Sequence, residues 1–162
     1  MKKILFLLLL CFIAFSVNAQ DDAESVVFSD IEVEGFENLW IQSSIKCIDA
    51  DSVYSDFARP QCGKTRFMYS VQKTMQKLFR VIANKYPDEL LAMYGTNNQV
   101  FIDFLVNEDG DAVLQSITNG ATFGIDQKIA QKILNSCKKW VPAKINNTVS
   151  RSKVRLQIDI SL

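Results

Sequence analysis

Along the last third of the chain, apolar residues recur with two different periods. From Val154 to Leu162 every second residue is aliphatic. Val154, Leu156, Ile158, Ile160 and Leu162 stand against Lys153, Arg155, Gln157, Asp159 and Ser161. A period of two gives a strand with one buried and one solvated face and a well-specified register. From Ile125 to Cys137 the spacing is helical, through Ile125, Ile129, Ile133 and Cys137. Trp140-Val141-Pro142-Ala143 breaks that helix. Asp126 belongs to its first turn, and Lys138 and Lys139 to its last, each favourable to the helix dipole.

Upstream, Gln99 to Val106 is apolar on both faces, with Val100, Ile102, Phe104 and Val106 against Phe101 and Leu105. Asp103 is the exception. Such a run suits a central strand or one covered on both sides. Asn107-Glu108-Asp109-Gly110 is a hairpin turn with glycine where positive φ is needed, and Ala112 to Ile117 is the return strand. Before these lies a helix. Ser70 is a suitable N-cap, Val71, Met75, Leu78, Phe79 and Ile82 form one face, and Pro87 ends it. Asp88 to Tyr94 adds a short helical turn closed by Gly95. These elements predict an α+β fold, helices packed on a small antiparallel sheet in the order α-β-β-α-β. An N-terminal β-rich segment precedes it: Val26 to Val33 and Leu39 to Ile48 are imperfect strands, and Asp49 to Gly63 is a loop.

The first residues change the compartment. Met1-Lys2-Lys3 is basic, Ile4 to Val17 is apolar, and Val17-Asn18-Ala19 precedes a cut at Ala19/Gln20, the pattern of a secretory signal peptide. At ~1.5 Å per residue the apolar run spans roughly 21 Å, short of the ~30 Å hydrocarbon core, which favours cleavage over a retained anchor. Residues 1–19 are thus a signal peptide, 20–66 the N-terminal segment and 67–162 the main domain, in a periplasmic or secreted protein. The exported chain keeps Cys47, Cys62 and Cys137. Cys137 continues a core stripe. Cys47 and Cys62 are the natural disulfide pair, closing a loop of about 15 residues worth roughly 3 kcal/mol.

Composition excludes several chemistries. Without histidine, Ser-His-Asp and Cys-His catalysis and His-ligated zinc are ruled out. Beyond residue 19 acids outnumber bases by two, so charge gives no argument for nucleic acid. Nothing points to a cofactor, a metal or a small-molecule substrate. An enzyme would use Cys62, Lys64 or nearby carboxylates; Asp103, Asp109 and Asp111 stand out, and the last two read first as turn residues.

The order of marks resembles the TonB C-terminal domain in its Bacteroidetes-type versions. It is carried by Tyr86-Pro87, Val100 to Val106, Asn107 to Gly110, Ile125-Asp126 with Ile129-Ala130, Trp140-Val141-Pro142-Ala143 and Val154 to Leu162. The match covers roughly Phe67 to Leu162, and asparagines (Asn98 and Asn147) stand where the family has glycines. The resemblance implies a last strand at the sheet edge that takes up a short outer-membrane receptor peptide by strand addition. The contact residues would be Lys153, Val154, Arg155, Leu156, Gln157 and Ile158. Energy-transducing members carry a histidine-bearing anchor and a proline-rich spacer. This chain has no histidine and three prolines. The expectation is therefore an exported protein-binding module, with a membrane-anchored energy transducer and a secreted enzyme as alternatives.

Overall fold

The computed structural model describes residues 26–28, 40–49, 54–86, 88, 92 and 97–161. The expected signal segment, residues 29–33 of the first expected strand, Pro87, most of the expected turn after it and Leu162 lie outside them. Five strands form one antiparallel sheet: β1 (Val26–Phe28), β2 (Trp40–Cys47), β4 (Asn97–Val106), β5 (Ala112–Thr118) and β9 (Ser152–Ser161), in the order β1-β2-β9-β4-β5. The helices α1 (Lys64–Lys85) and α2 (Gln127–Leu134) make this an α+β fold. Short pairs finish it: β3 (Arg59–Pro60) with β6 (Trp140–Val141), and β7 (Ala143–Ile145) with β8 (Thr148–Ser150). Among the described residues no helix is long and apolar enough to cross a membrane.

The period of two in β9 becomes one wall of the core. Val154, Leu156, Ile158 and Ile160 are buried beside Val100, Ile102, Phe104 and Val106 of β4. Ten consecutive residue pairs join the two strands, from Asn97↔Ser161 to Val106↔Ser152. Phe67, Val71, Met75 and Phe79 recur every four residues, so α1 presents one apolar stripe to this wall. Ala130, Ile133 and Leu134 do the same from α2. Each fully buried large side chain contributes about 1.5–3 kcal/mol.

Element boundaries differ most from the sequence reading at the two helices. The first helix starts at Lys64, with Gly63 as N-cap, more than a turn before Ser70. The early turns hide behind Lys64-Thr65-Arg66, yet Phe67 and Met68 are fully buried. The second helix stops at Leu134, so Lys138 and Lys139 lie beyond it and do not sit in its last turn. Asp126 is its N-cap, and its carboxylate accepts the Ile129 amide at 2.8 Å. Asn146 and Asn147 have φ of 50° and 63° in the β7–β8 turn, as asparagine tolerates. Asn98 lies in β4 and takes no left-handed conformation.

Candidate functional site

The last strand is not an edge. β9 is hydrogen-bonded to β4 on one side and to β2 on the other, so the expected contact residues Lys153, Val154, Arg155, Leu156, Gln157 and Ile158 lie in the sheet interior. Eight residues of β2 cover it, from Trp40↔Ser161 to Cys47↔Val154. The pairing continues past the strand end. The Ile48 amide donates to the Lys153 carbonyl at 2.9 Å, and the Lys153 amide donates to the Asp49 carboxylate at 2.8 Å. By the alternation of an antiparallel ladder, Lys46, Ser44 and Gln42 also turn their backbone groups toward β9. The ladder a partner strand would use is thus filled by the chain's own N-terminal segment, and residues 40–47 share one sheet with the C-terminal elements.

β2 is anchored less heavily than β9. On its core-facing side Ile41 is buried and Ile45 half-buried, but Ser43 stands between them. The Ser43 hydroxyl donates to the Met68 sulfur at 3.2 Å, a weak acceptor. β9 carries four buried aliphatics over the same span of core. At the opposite side of the sheet, β5 is an edge among the described residues. Its register shifts between Asp103↔Ser116 and Phe104↔Leu114, which leaves Gln115 as an extra residue. A bulge of this kind twists an edge and disrupts its ladder, so β5 is a poor template for a further strand.

The face of the sheet turned away from the helices mixes polar side chains with Phe101, Leu105 and Val113, and an ion pair orders it. Arg155 donates from Nε to Asp103 Oδ1 at 2.6 Å and from a terminal nitrogen to Oδ2 at 2.8 Å. Its guanidinium also lies 4.9 Å from the centroid of the Phe101 ring. The Arg155 hydrogen bonds hold the Asp103 carboxyl below its usual range against the opposing effect of burial, and Asp103 raises Arg155 in turn. Asp159 accepts from Gln99 at 2.8 Å and from Gln157 at 2.9 Å. Asp103, the exception in an apolar run, is therefore held as a structural partner.

This pair sets a pH dependence. The folded pKa of Asp103 is depressed, so its contribution is complete above the unfolded value of about 4 and is lost as pH falls through the folded one. Asp103→Asn is expected to cost about 1 kcal/mol at pH 7. In urea titrations repeated over pH, the difference from the parent chain should shrink as acid protonates Asp103. A difference unchanged to the lowest pH would separate Asp103 from this linkage.

Cys47 and Cys62, the expected disulfide pair, are both free thiols in this structure. The Cys62 amide donates instead to the Cys137 sulfur at 3.1 Å. Burial pushes Cys47 up, with the Asp49 and Ile48 amides acting in the opposite sense. Burial first, and then Cys137, pushes Cys62 up to about 11. Cys137 is buried, as its place in the apolar stripe predicts. Cys47 lines a cavity of about 580 Å³ with Lys46, Phe57, Arg59 and Lys64. Of the acidic turn residues, Asp111 pairs with Lys139, whose amine also donates to the Asp109 carbonyl at 3.4 Å. That interaction pins the hairpin tip, and these residues do not converge with Asp103, which faces Arg155.

What this geometry defines is an α+β protein with one sheet face covered by helices and the other left open among the described residues. Compared with protein-family models, curated proteins and solved structures, the chain finds no match.

Proposed function

We propose that this chain is an exported, periplasmic protein-binding module of the TonB C-terminal type whose peptide-accepting edge is filled in cis by its own N-terminal strand. The observation that carries this reading is the eight-residue pairing of β2 with β9. The elements α1, β4, β5, α2 and β9 follow one another in the order the resemblance implies, with β9 beside β4. β2 comes from outside that unit and occupies the position a receptor peptide would need. A partner strand, most simply an outer-membrane receptor peptide, engages β9 by competing with β2. Backbone pairing supplies affinity, and an aliphatic side chain in the place of Ser43 supplies preference.

Two substitutions in β2 act in opposite directions. Ser44→Pro removes a backbone donor that faces β9 and loosens β2. Ser43→Val adds apolar contact at a buried position and tightens it. With a photo-crosslinker at Gln157, the loosened chain should capture an outer-membrane protein severalfold more than the parent, and the tightened chain less. Circular dichroism establishes that each variant is folded. Equal capture by all three chains, or capture that maps to β5 instead, would sink the competition reading.

A further inference from the structure

Cys62 and Cys137 are separated by 75 positions, yet the fold brings them together and fixes the backbone around both. Cys62 lies in the turn between β3 and α1, and Cys137 in the turn after α2. Next to them β3 pairs with β6 through Arg59↔Val141 and Pro60↔Trp140. The Gln61 amide donates to the Lys139 carbonyl at 3.0 Å, and the Cys62 amide donates to Cys137 Sγ at 3.1 Å. Cys137 Sγ donates in turn to the Lys139 carbonyl at 3.1 Å. Two chain segments are therefore locked in register beside the sulfurs. Cys47 has different surroundings, at the end of β2 opposite Val154.

We propose that Cys62 and Cys137 form a structural disulfide in an oxidising compartment, and that Cys47 remains the free thiol. The oxidant is a disulfide, small or carried by a thiol oxidoreductase. Cys62, the more exposed of the two, loses its proton to solvent and attacks one sulfur of that disulfide. The oxidant's S–S bond breaks and one thiol leaves. Cys137 then loses its proton and attacks Cys62 Sγ. The Cys62–Cys137 bond forms and the second thiol leaves. The protein loses two protons and two electrons, and the oxidant gains them as two thiols. A high thiol pKa makes Cys62 a slow nucleophile and also a poor leaving group, so the bond resists reduction once formed. That is the behaviour of a staple, not of a redox catalyst. It joins the start of α1 to the turn after α2, and it closes a far longer loop than Cys47–Cys62 would.

The test begins with the purified chain, reduced and then exposed to oxidised glutathione, and mapped by non-reducing peptide mass spectrometry. The expected product is a Cys62 peptide joined to a Cys137 peptide, with a thermal midpoint raised by roughly 10 °C. Cys47→Ser leaves both results unchanged, whereas Cys62→Ser and Cys137→Ser each abolish the link. A Cys47–Cys62 link, glutathione retained on Cys62, or two thiols that stay titratable in the folded chain would overturn the pairing. A midpoint that falls on oxidation would overturn the stapling role. The presence of the oxidant in the cell rests on the exported reading, so the chain is also mapped as isolated from cells. A bond that forms in the tube but is absent from that sample counts against export and leaves the pairing supported.

Discussion

Trp140→Ala should cost about 4 kcal/mol, the largest loss expected of any single side chain here. The indole is buried at the meeting point of three elements. Its ring stands edge-on to Phe67 of α1, with centroids 5.2 Å apart, and to Phe104 of β4, at 4.9 Å. Truncation leaves a cavity between a helix and the centre of a sheet, neither of which can collapse into it. Each aromatic pair adds about 0.5–1.5 kcal/mol beyond area burial. One term works the other way: Trp140 Nε1 is buried with no hydrogen-bond partner among the described residues. Phenylalanine removes that orphaned donor and keeps most of the ring contacts. Trp140→Phe is therefore expected to cost less than half as much as Trp140→Ala. Denaturant midpoints of the three chains check this. Equal losses for the two variants would show that the indole nitrogen, and not the ring packing, holds the site.

The role of Trp140 was only half legible in the sequence. Trp140-Val141-Pro142-Ala143 reads as a break, because proline ends the helical pattern. That the same tryptophan pairs with Pro60 as a strand, eighty positions away, leaves no local signature. The last strand teaches the same lesson. A period of two says which side chains of β9 face the core, and Val154, Leu156, Ile158 and Ile160 do. It does not distinguish an edge strand from a central one when one sheet face is open. Lys153, Arg155, Gln157 and Asp159 point to the open face in either case. What decides is a pairing between residues more than a hundred positions apart, Trp40↔Ser161 and those that follow. β2 itself is poorly patterned because Ser43 interrupts its buried side, and the same residue makes it the weaker neighbour of β9.

The cysteines depend on long-range contacts in a similar way. Cys47 and Cys62 are near one another in sequence and Cys137 continues a core stripe, but the fold turns Cys62 toward Cys137 through the β3–β6 pair. Asp103 was visible as a lone charge in an apolar run, and such a charge asks for a partner. The partner, Arg155, could be named only once β4 and β9 were in register, at Asp103↔Arg155. Hydrophobic period, turn chemistry and the α+β class are local properties and can be read directly. Strand order and long-range side-chain pairs depend on the three-dimensional contacts that period alone leaves open.

Gly110→Ala should cost about 3 kcal/mol, through two separable effects. Gly110 has φ of 81°, a conformation that costs a residue with a β-carbon about 1–2 kcal/mol. A β-carbon there would also lie 2.2 Å from the Trp140 carbonyl oxygen, and that atom is backbone. Trp140 cannot retreat freely. Its amide donates to the Gly110 carbonyl at 2.9 Å, and its strand is paired with Pro60. The turn cannot retreat either. Asn107 Oδ1 accepts from the Asp109 and Asp111 amides at 3.1 and 2.8 Å, and Lys139 holds Asp111. Forcing the two apart breaks the contact between the β4–β5 hairpin tip and β6, which adds an overpacking cost of about 1–3 kcal/mol. Gly124 separates the terms. It has φ of 63° and open space where an added methyl group would lie, so Gly124→Ala carries the conformational cost without the clash. The expected order in thermal melts is a fall of roughly 10 °C for Gly110→Ala and about a third of that for Gly124→Ala. Equal falls would mean that the hairpin tip yields, and that Trp140 is held by its aromatic neighbours and not by the turn.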